Sequence, residues 1–325
     1  MQAAADAAAE MGCHGDAARA LFNVAATQQR LNKVEQVSQA VLGAERASRL
    51  AADEAAHCRQ LANTARCLLE VEREVPHALG LVREAESLAE ALGLRFAELE
   101  WGRAHAARWS GDLDRAHALM GKAYELAKLH EDRWRESGCL VWLATIDLER
   151  QRFDLAVRHC DEADRIASRI GQGQAPVADA LRALTHLVMS SGRGDTSSLD
   201  RGIAALRAFD DKTQLAYVLN CRAVLDLAHG RTAQARAAAR EAMDAARVVR
   251  RTTEIAVAGA VLARALAADG DRSAAAACLK DLVSNHDLAD LSARARAHME
   301  AAARGIGLSL PTSPRQHKAP RTPPR

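Results

Sequence analysis

Trp101, His105 and Arg108 stand at spacings i, i+4 and i+7, which on an α-helix places all three on one face. An indole, an imidazole and a guanidinium on one face could grip a carboxylate or a flat ring, through charge-assisted hydrogen bonds and cation–π contact. The plainer reading of the trio is a solvated groove with Trp101 partly packed between helices. The four tryptophans, Trp101, Trp109, Trp134 and Trp142, fall in two neighbouring segments. They could line a pocket, but they read more readily as filling of an alanine-poor stretch of core. His57-Cys58 and His159-Cys160 suggest metal ligation. Adjacent helical residues, however, point about 100° apart, and no second pair sits at ligand spacing. Gly171-Gln172-Gly173 has no strand ahead of it, so it reads as a helix-to-helix turn rather than a dinucleotide loop. No nucleophile sits in a recognisable context. The residues thus offer no catalytic, cofactor or metal site, and they favour a binding protein over an enzyme.

Such side chains need rigid elements to hold them, and the composition says which kind. Alanine accounts for 73 of 325 residues, and only two of the seven prolines lie outside the last fifteen residues. Alanine is the best helix former and lets helix axes approach closely. No run of alternating β-branched residues appears, so the expected class is all-α. The 44 basic and 42 acidic side chains leave a net charge of +2, which argues against a body built to neutralise phosphates. Seven cysteines, never as C-x-x-C, fit reduced thiols and a cytoplasmic setting. Asp6, Glu10 and the lack of a basic leader segment argue against a signal peptide. The uncharged apolar runs near Gly138–Ile146 and Ile255–Ala263 are too short to span a bilayer, so no membrane partner is expected.

The alanines recur in a pattern. Counted from the turn at Gly111 they are Ala116, Ala123 and Ala127; the next unit has Ala156, Ala163 and Ala167. Earlier units give Ala78, Ala85, Ala89 and Ala40, Ala47, Ala51, and a later one gives Ala235, Ala242, Ala246. Offsets of 7 and 11 residues turn a helix by about −20° and +20°, so each trio forms one stripe. A second helix carrying such a stripe can nestle against its own first helix and the next. First helices carry a small residue seven before the turn, Ala104, Ala144, Ala223 and Ala263, while the earlier units show Gln28 and Arg66 there. The last unit puts Leu282 in place of its second alanine. A degenerate unit is expected around 176–209, with a widened turn at Ser190–Asp195. Residues 1–12 read as the second half of a repeat whose first helix is missing, which suggests a fragment or a start assigned late. A helical array over 13–304 follows, ending in a cap helix stopped by Gly305-Ile306-Gly307. Residues 305–325, rich in proline and base, are expected to be a disordered tail.

A helical hairpin with alanines five and twelve after the turn and a small residue seven before it resembles the tetratricopeptide repeat. The unit here is 38–40 residues rather than the usual 34, and the closing proline is absent. Long units of this kind are similar to the sensor arrays of large bacterial regulators of the maltose-activator type. No G-x-x-x-x-G-K-[ST] and no helix-turn-helix accompanies the array. The resemblance implies a right-handed superhelical solenoid of about seven antiparallel hairpins. It further implies a concave wall built from the first helices. On that wall fall Gln60, Asn63 and Glu70, then Glu98, Trp101, His105 and Arg108, then Asn220. The expected function is a non-enzymatic protein-interaction scaffold or ligand-sensing module. Its partner would be a protein, a peptide or a small-molecule inducer. A self-assembling repeat protein, pairing through the N-terminal half-repeat, is the alternative. Nucleic-acid contact through Arg315, Lys318, Arg321 and Arg325 of the tail is the weakest reading.

Overall fold

The computed structural model describes residues 2–170 and 175–310, which form sixteen α-helices and no strand. The Gly171-Gln172-Gly173 turn and the tail from residue 311 lie outside the described residues. Helix α1 (Gln2–Glu10) is followed by seven hairpins. They are α2/α3 (His14–Arg30, Val34–Arg49), α4/α5 (Glu54–Val71, Val75–Ala91), α6/α7 (Ala97–Ser110, Leu113–Leu129) and α8/α9 (Arg133–Glu149, Phe153–Ile170). Then come α10/α11 (Ala175–Met189, Ser197–Ala208), α12/α13 (Lys212–Ala228, Thr232–Val248) and α14/α15 (Thr252–Ala268, Arg272–Asn285). A final helix, α16 (Ala293–Ile306), stacks on α14 as α14 stacks on α12. It ends at Gly307 in the left-handed region, and Ile306, Leu308 and Leu310 pack against the last hydrophobic cluster. Ordered, packed structure therefore runs past 305, where the tail was expected to begin.

The alanine seam is dry. Ala116, Ala123, Ala156, Ala163, Ala235 and Ala242 are fully buried, as are Ala104, Ala223 and Ala263 on the facing helices. In the first hairpin the expected register is wrong. The stripe there is Val37, Ala44 and Ser48, while Ala47 and Ala51 are partly exposed. The apparent departures at Gln28 and Arg66 also vanish once the left-handed residues Asn32 and Glu72 mark the turns, because Ala25 and Ala65, seven before them, fill the crowded position. The physical marker of each unit is the turn residue in the left-handed region, and it need not be glycine. Gly111, Gly230 and Gly270 hold it in some hairpins, but Asn32, Glu72 and Gln151 hold it in others.

Where the pattern breaks, sizes compensate. Leu282 replaces the second alanine of α15, and Gly259 on α14 makes room for it. A Cβ on Gly259 would lie 2.4 Å from Leu282 Cδ1. The degenerate unit closes with a shortened α11 whose Gly202 sits against Ala180, where a Cβ would lie 2.8 Å from Ala180 Cα.

The array winds back on itself. Asn32, in the α2/α3 turn, donates through Nδ2 to the Asp210 carbonyl oxygen at 2.7 Å. Arg73, after α4, donates to the Arg250 carbonyl oxygen at 2.9 Å. Gly111, in the α6/α7 turn, meets Ala293 at the start of α16, so closely that a Cβ would lie 2.8 Å from Ala293 Cβ. Each contact joins a turn to the turn nine helices later. Successive turns of the superhelix therefore touch, and its interior is narrow.

Candidate functional site

Among the described second helices only α3 carries buried polar side chains, Ser38, Glu45 and Ser48; the others are concentrated on the first helices and the turns. Gln60, Glu70, His105, Glu136, Asp147, Asn220 and Glu254 are all buried there. The reason follows from the seam: each second helix is hemmed in by alanine-lined neighbours, while the first helices line the inside of the coil. A buried charge must be paired, and these are.

One chain of contacts runs through the interior. Arg66 Nη1 donates to both oxygens of Glu70 at 2.9 Å, and its guanidinium lies 5.2 Å from the centroid of the Trp101 ring. Trp101 Nε1–H donates to His105 Nε2 at 2.8 Å. That bond occupies the Nε2 lone pair, so the 3.3 Å approach of Glu70 Oε1 to the same nitrogen cannot be a second bond from a neutral ring. Burial lowers the His105 pKa, which keeps the ring neutral and fixes its proton on Nδ1. The ring meets Trp142 edge-on at 4.5 Å. Burial alone would raise the Glu70 carboxyl, but the charge of Arg66, with a hydrogen bond from Gln29, holds it below its ordinary range.

Beyond Trp142 the charges continue. Arg108 donates through Nε and Nη2 to Glu149 at 3.0 and 2.6 Å, the bidentate geometry a guanidinium favours. It also stacks 5.3 Å from Trp142 and 5.9 Å from Tyr217. Arg294, on α16, covers Tyr217 at 4.7 Å and donates to Glu254 at 2.6 Å. Asn220 Nδ2 donates to the same Glu254 at 2.8 Å. Burial opposes the charge on both arginines, but Glu149 and Glu254 outweigh it, and both stay cationic. His298, one turn along α16, is lowered to about 4 by burial with help from Arg294 and Arg264.

These groups surround a cavity of about 440 Å³, in the range typical of small-ligand sites. His105, Arg108, Trp109, Trp142 and Glu149 line one side, and Arg251, Thr253, Ser292, Arg294 and His298 the other. The two sides belong to different turns of the coil, and Glu72 joins them. Its Oε1 accepts from Arg251 Nη2 at 2.9 Å, and its Oε2 from the Thr253 backbone N–H at 2.8 Å. Six of the sixteen α-helices begin with an aspartate or serine whose side chain caps them, such as Asp112 on α7 and Asp211 on α12. Helix α14 begins with Arg251 and has no cap of its own. Glu72 supplies that cap from 181 residues away. It does so from φ 55, a region costly for a side-chain-bearing residue, and the bonds to α14 hold it there.

Of the residues singled out in the sequence, the structure brings His105 and Arg108 to the cavity wall. Trp101 and Asn220 stand behind it, one bonded to His105 and the other to the partner of Arg294. Glu98 pairs with Arg135 at 2.7 Å, and Asn63 is half-buried with its Oδ1 lacking a protein donor. In place of the solvated groove that was the plainer reading of Trp101, His105 and Arg108, the structure has this narrower space, because the turns of the coil touch. Reading the tryptophans as core holds for Trp101, which packs on Gly138, but Trp109 and Trp142 line the cavity and Trp134 is exposed. The sequence pattern assigns α16 to a cap and so does not point to Arg294 and His298, although their i, i+4 spacing puts them on one face. The His-Cys pairs split as helix geometry requires. His159 reaches Asp147 at 3.0 Å and His57 reaches Ser48 at 2.9 Å, while Cys58 and Cys160 point into the core. Among the described residues no group of three or more His, Cys, Asp or Glu side chains suits a metal ion, and no helix is long and apolar enough to cross a membrane.

No protein-family model matches the chain, and no curated protein sequence matches it. Solved structures do. A Rap protein complexed with Competence and Sporulation Factor aligns with TM-score 0.65 over 88% of this chain and 78% of that one, at 12% identity. The apo form of RapI aligns with TM-score 0.55 over 72% of this chain and 84% of that one, at 13% identity. A signal-transduction ATPase with a tetratricopeptide repeat sensor from Pyrococcus horikoshii reaches 0.47, over 82% of this chain and 41% of that one, at 15% identity. At these identities the first two likenesses bear on the fold, an all-α array of stacked hairpins.

Proposed function

On this tetratricopeptide-like scaffold, we propose that the chain is a non-enzymatic binding module that takes a ligand or a partner's peptide segment on its interior surface, as the sensing part of a regulatory system. The observation that carries this reading is the cavity between two turns of the coil. It gathers aromatic faces, guanidinium donors and neutral histidines on helices whose outer sides are locked by the alanine seam. Such a surface is shaped before anything arrives, which lowers the ordering cost of binding. That one structural neighbour was solved with Competence and Sporulation Factor bound, and another without a ligand, supports the same reading. His105 and Arg108 make contact in this reading, and Trp101 and Asn220 hold their neighbours in place. Asn63 and Glu98 form its outer margin.

The test is a selection of peptides from a random library on the full-length chain. Binders should lose affinity on Trp142→Ala, with helicity unchanged by circular dichroism, and keep it on Lys122→Ala on the outer helix α7. Binders that respond to Lys122→Ala and ignore Trp142→Ala would place recognition on the outside and sink the reading.

A further inference from the structure

In front of the buried Tyr217, the cavity wall holds open donors on Arg108 and Arg294 and an open acceptor on Glu149. Arg108 spends Nε and Nη2 on Glu149, and its Nη1 has no acceptor among the described residues. Arg294 spends Nη1 on Glu254, and its Nη2 finds only the Cys221 sulfur at 3.9 Å. Glu149 has a carboxylate's four or so lone-pair sites, and Arg108 uses two of them. One of its oxygens lies 3.9 Å from Arg294 Nε, so it stands between the two cations. The cluster of Arg108, Arg294, Glu149 and Glu254 carries no net charge. A ligand with one unbalanced charge would give up its hydration there without a matching counter-charge. A ligand carrying both signs would find both answered. Trp109 and Trp142, with Leu113 and Leu148, line the same space. Arg108 covers one face of Trp142, and Trp109 stands beside it in the lining as a second flat surface suited to a ring.

We propose that this cavity takes a small zwitterion bearing a flat ring, an aromatic amino acid or a short peptide with free termini. Arg108 Nη1 and Arg294 Nη2 receive its carboxylate, Glu149 receives its ammonium, and the ring lies against Trp109 and Trp142. The assignment rests on the binding-module reading above and narrows it to one ligand chemistry. A volume of about 440 Å³ admits such a molecule and excludes a folded partner domain.

Titration calorimetry on the full chain, with tryptophan fluorescence alongside, tests it against free tryptophan, phenylalanyl-phenylalanine and tryptophyl-glycine. Each is also supplied N-acetylated and C-amidated. At least one free zwitterion should bind and perturb the fluorescence, and capping either end should weaken it by about tenfold. Arg108→Lys keeps the charge but loses the planar fork, and should weaken the same ligand by a similar factor while leaving the thermal midpoint within a few degrees. Capped forms that bind as well as the free ones would overturn the zwitterion. So would a panel that fails entirely while library-selected peptides still depend on Trp142, and in that case the module reading survives. If neither the panel nor any selected peptide engages the interior, both fall.

Discussion

The seam between α12 and α13 and the junction between Glu72 and α14 both hold helices together, by opposite means. In the seam, Ala235, Ala242, Ala246 and Ala223 are fully buried, and nothing polar intervenes. Its partners are neighbours in sequence. At the junction, a buried carboxylate, a buried guanidinium and a helix N-terminus meet across 179 to 181 residues. A seam tolerates the loss of one methyl group. A buried ion pair that also caps a helix does not tolerate the loss of one partner, because the other is left desolvated and alone. Repeated small contacts build the rod, and a few costly ones set how tightly it coils.

The sharpest way to break this contrast is Glu72→Ala. It strands Arg251 and uncaps α14, and should destabilise the chain by about 3–5 kcal/mol. It should also raise the radius of gyration in small-angle scattering as the turns separate. An unchanged radius with lost stability would mean that other contacts set the coil. Next in size is the exchange at Gly259 and Leu282. Gly259→Ala alone should cost about 1–3 kcal/mol by overpacking, and Leu282→Ala alone about 2–5 kcal/mol by leaving a void. Together they recreate an alanine seam, and denaturation of the double variant should show a cost well below the sum. Strict additivity would show that the two side chains do not compensate.

Acid should act on the interior and leave the seam untouched. Glu70 is held below the ordinary 4.5 when folded, so its contribution is complete above about pH 4.5 and is lost as pH falls from there. His298 is held at about 4, below the ordinary 6.5, so the unfolded chain takes the proton first and stability falls from about pH 6.5 toward 4. Urea midpoints across this range should therefore fall on acidification, and His298→Gln should flatten the upper part of the slope without abolishing it, because burial lowers His105 in the same direction. A midpoint that rises between pH 6.5 and 4 would contradict the sign. The smallest effect is expected at Arg207–Glu241, a well-formed pair on the outer surface at 2.6 Å. Both side chains are well exposed, so Glu241→Ala should cost under about 1 kcal/mol, and less in high salt.

Alanine spacing carried most of the fold. Stripes such as Ala116, Ala123 and Ala127 need only one hairpin to be read, since the period of a helix is fixed by local geometry. The register failed in the first hairpin because Asn32, not a glycine, turns the chain there, and the sequence does not mark which residue adopts the left-handed region. The site was legible in part. His105 and Arg108 could be placed on one face, but Arg294, His298 and Arg251 join them only through the winding of the coil.

Local chemistry in the sequence settled the helices, their pairing and the dry side of each hairpin, because those depend on residues a few turns apart. The pitch of the coil, the closing of its interior and the identity of the groups that face one another there were decided only in three dimensions. They rest on contacts between turns nine helices apart, and a trans-acting cap such as Glu72 looks, in sequence, like any other surface glutamate.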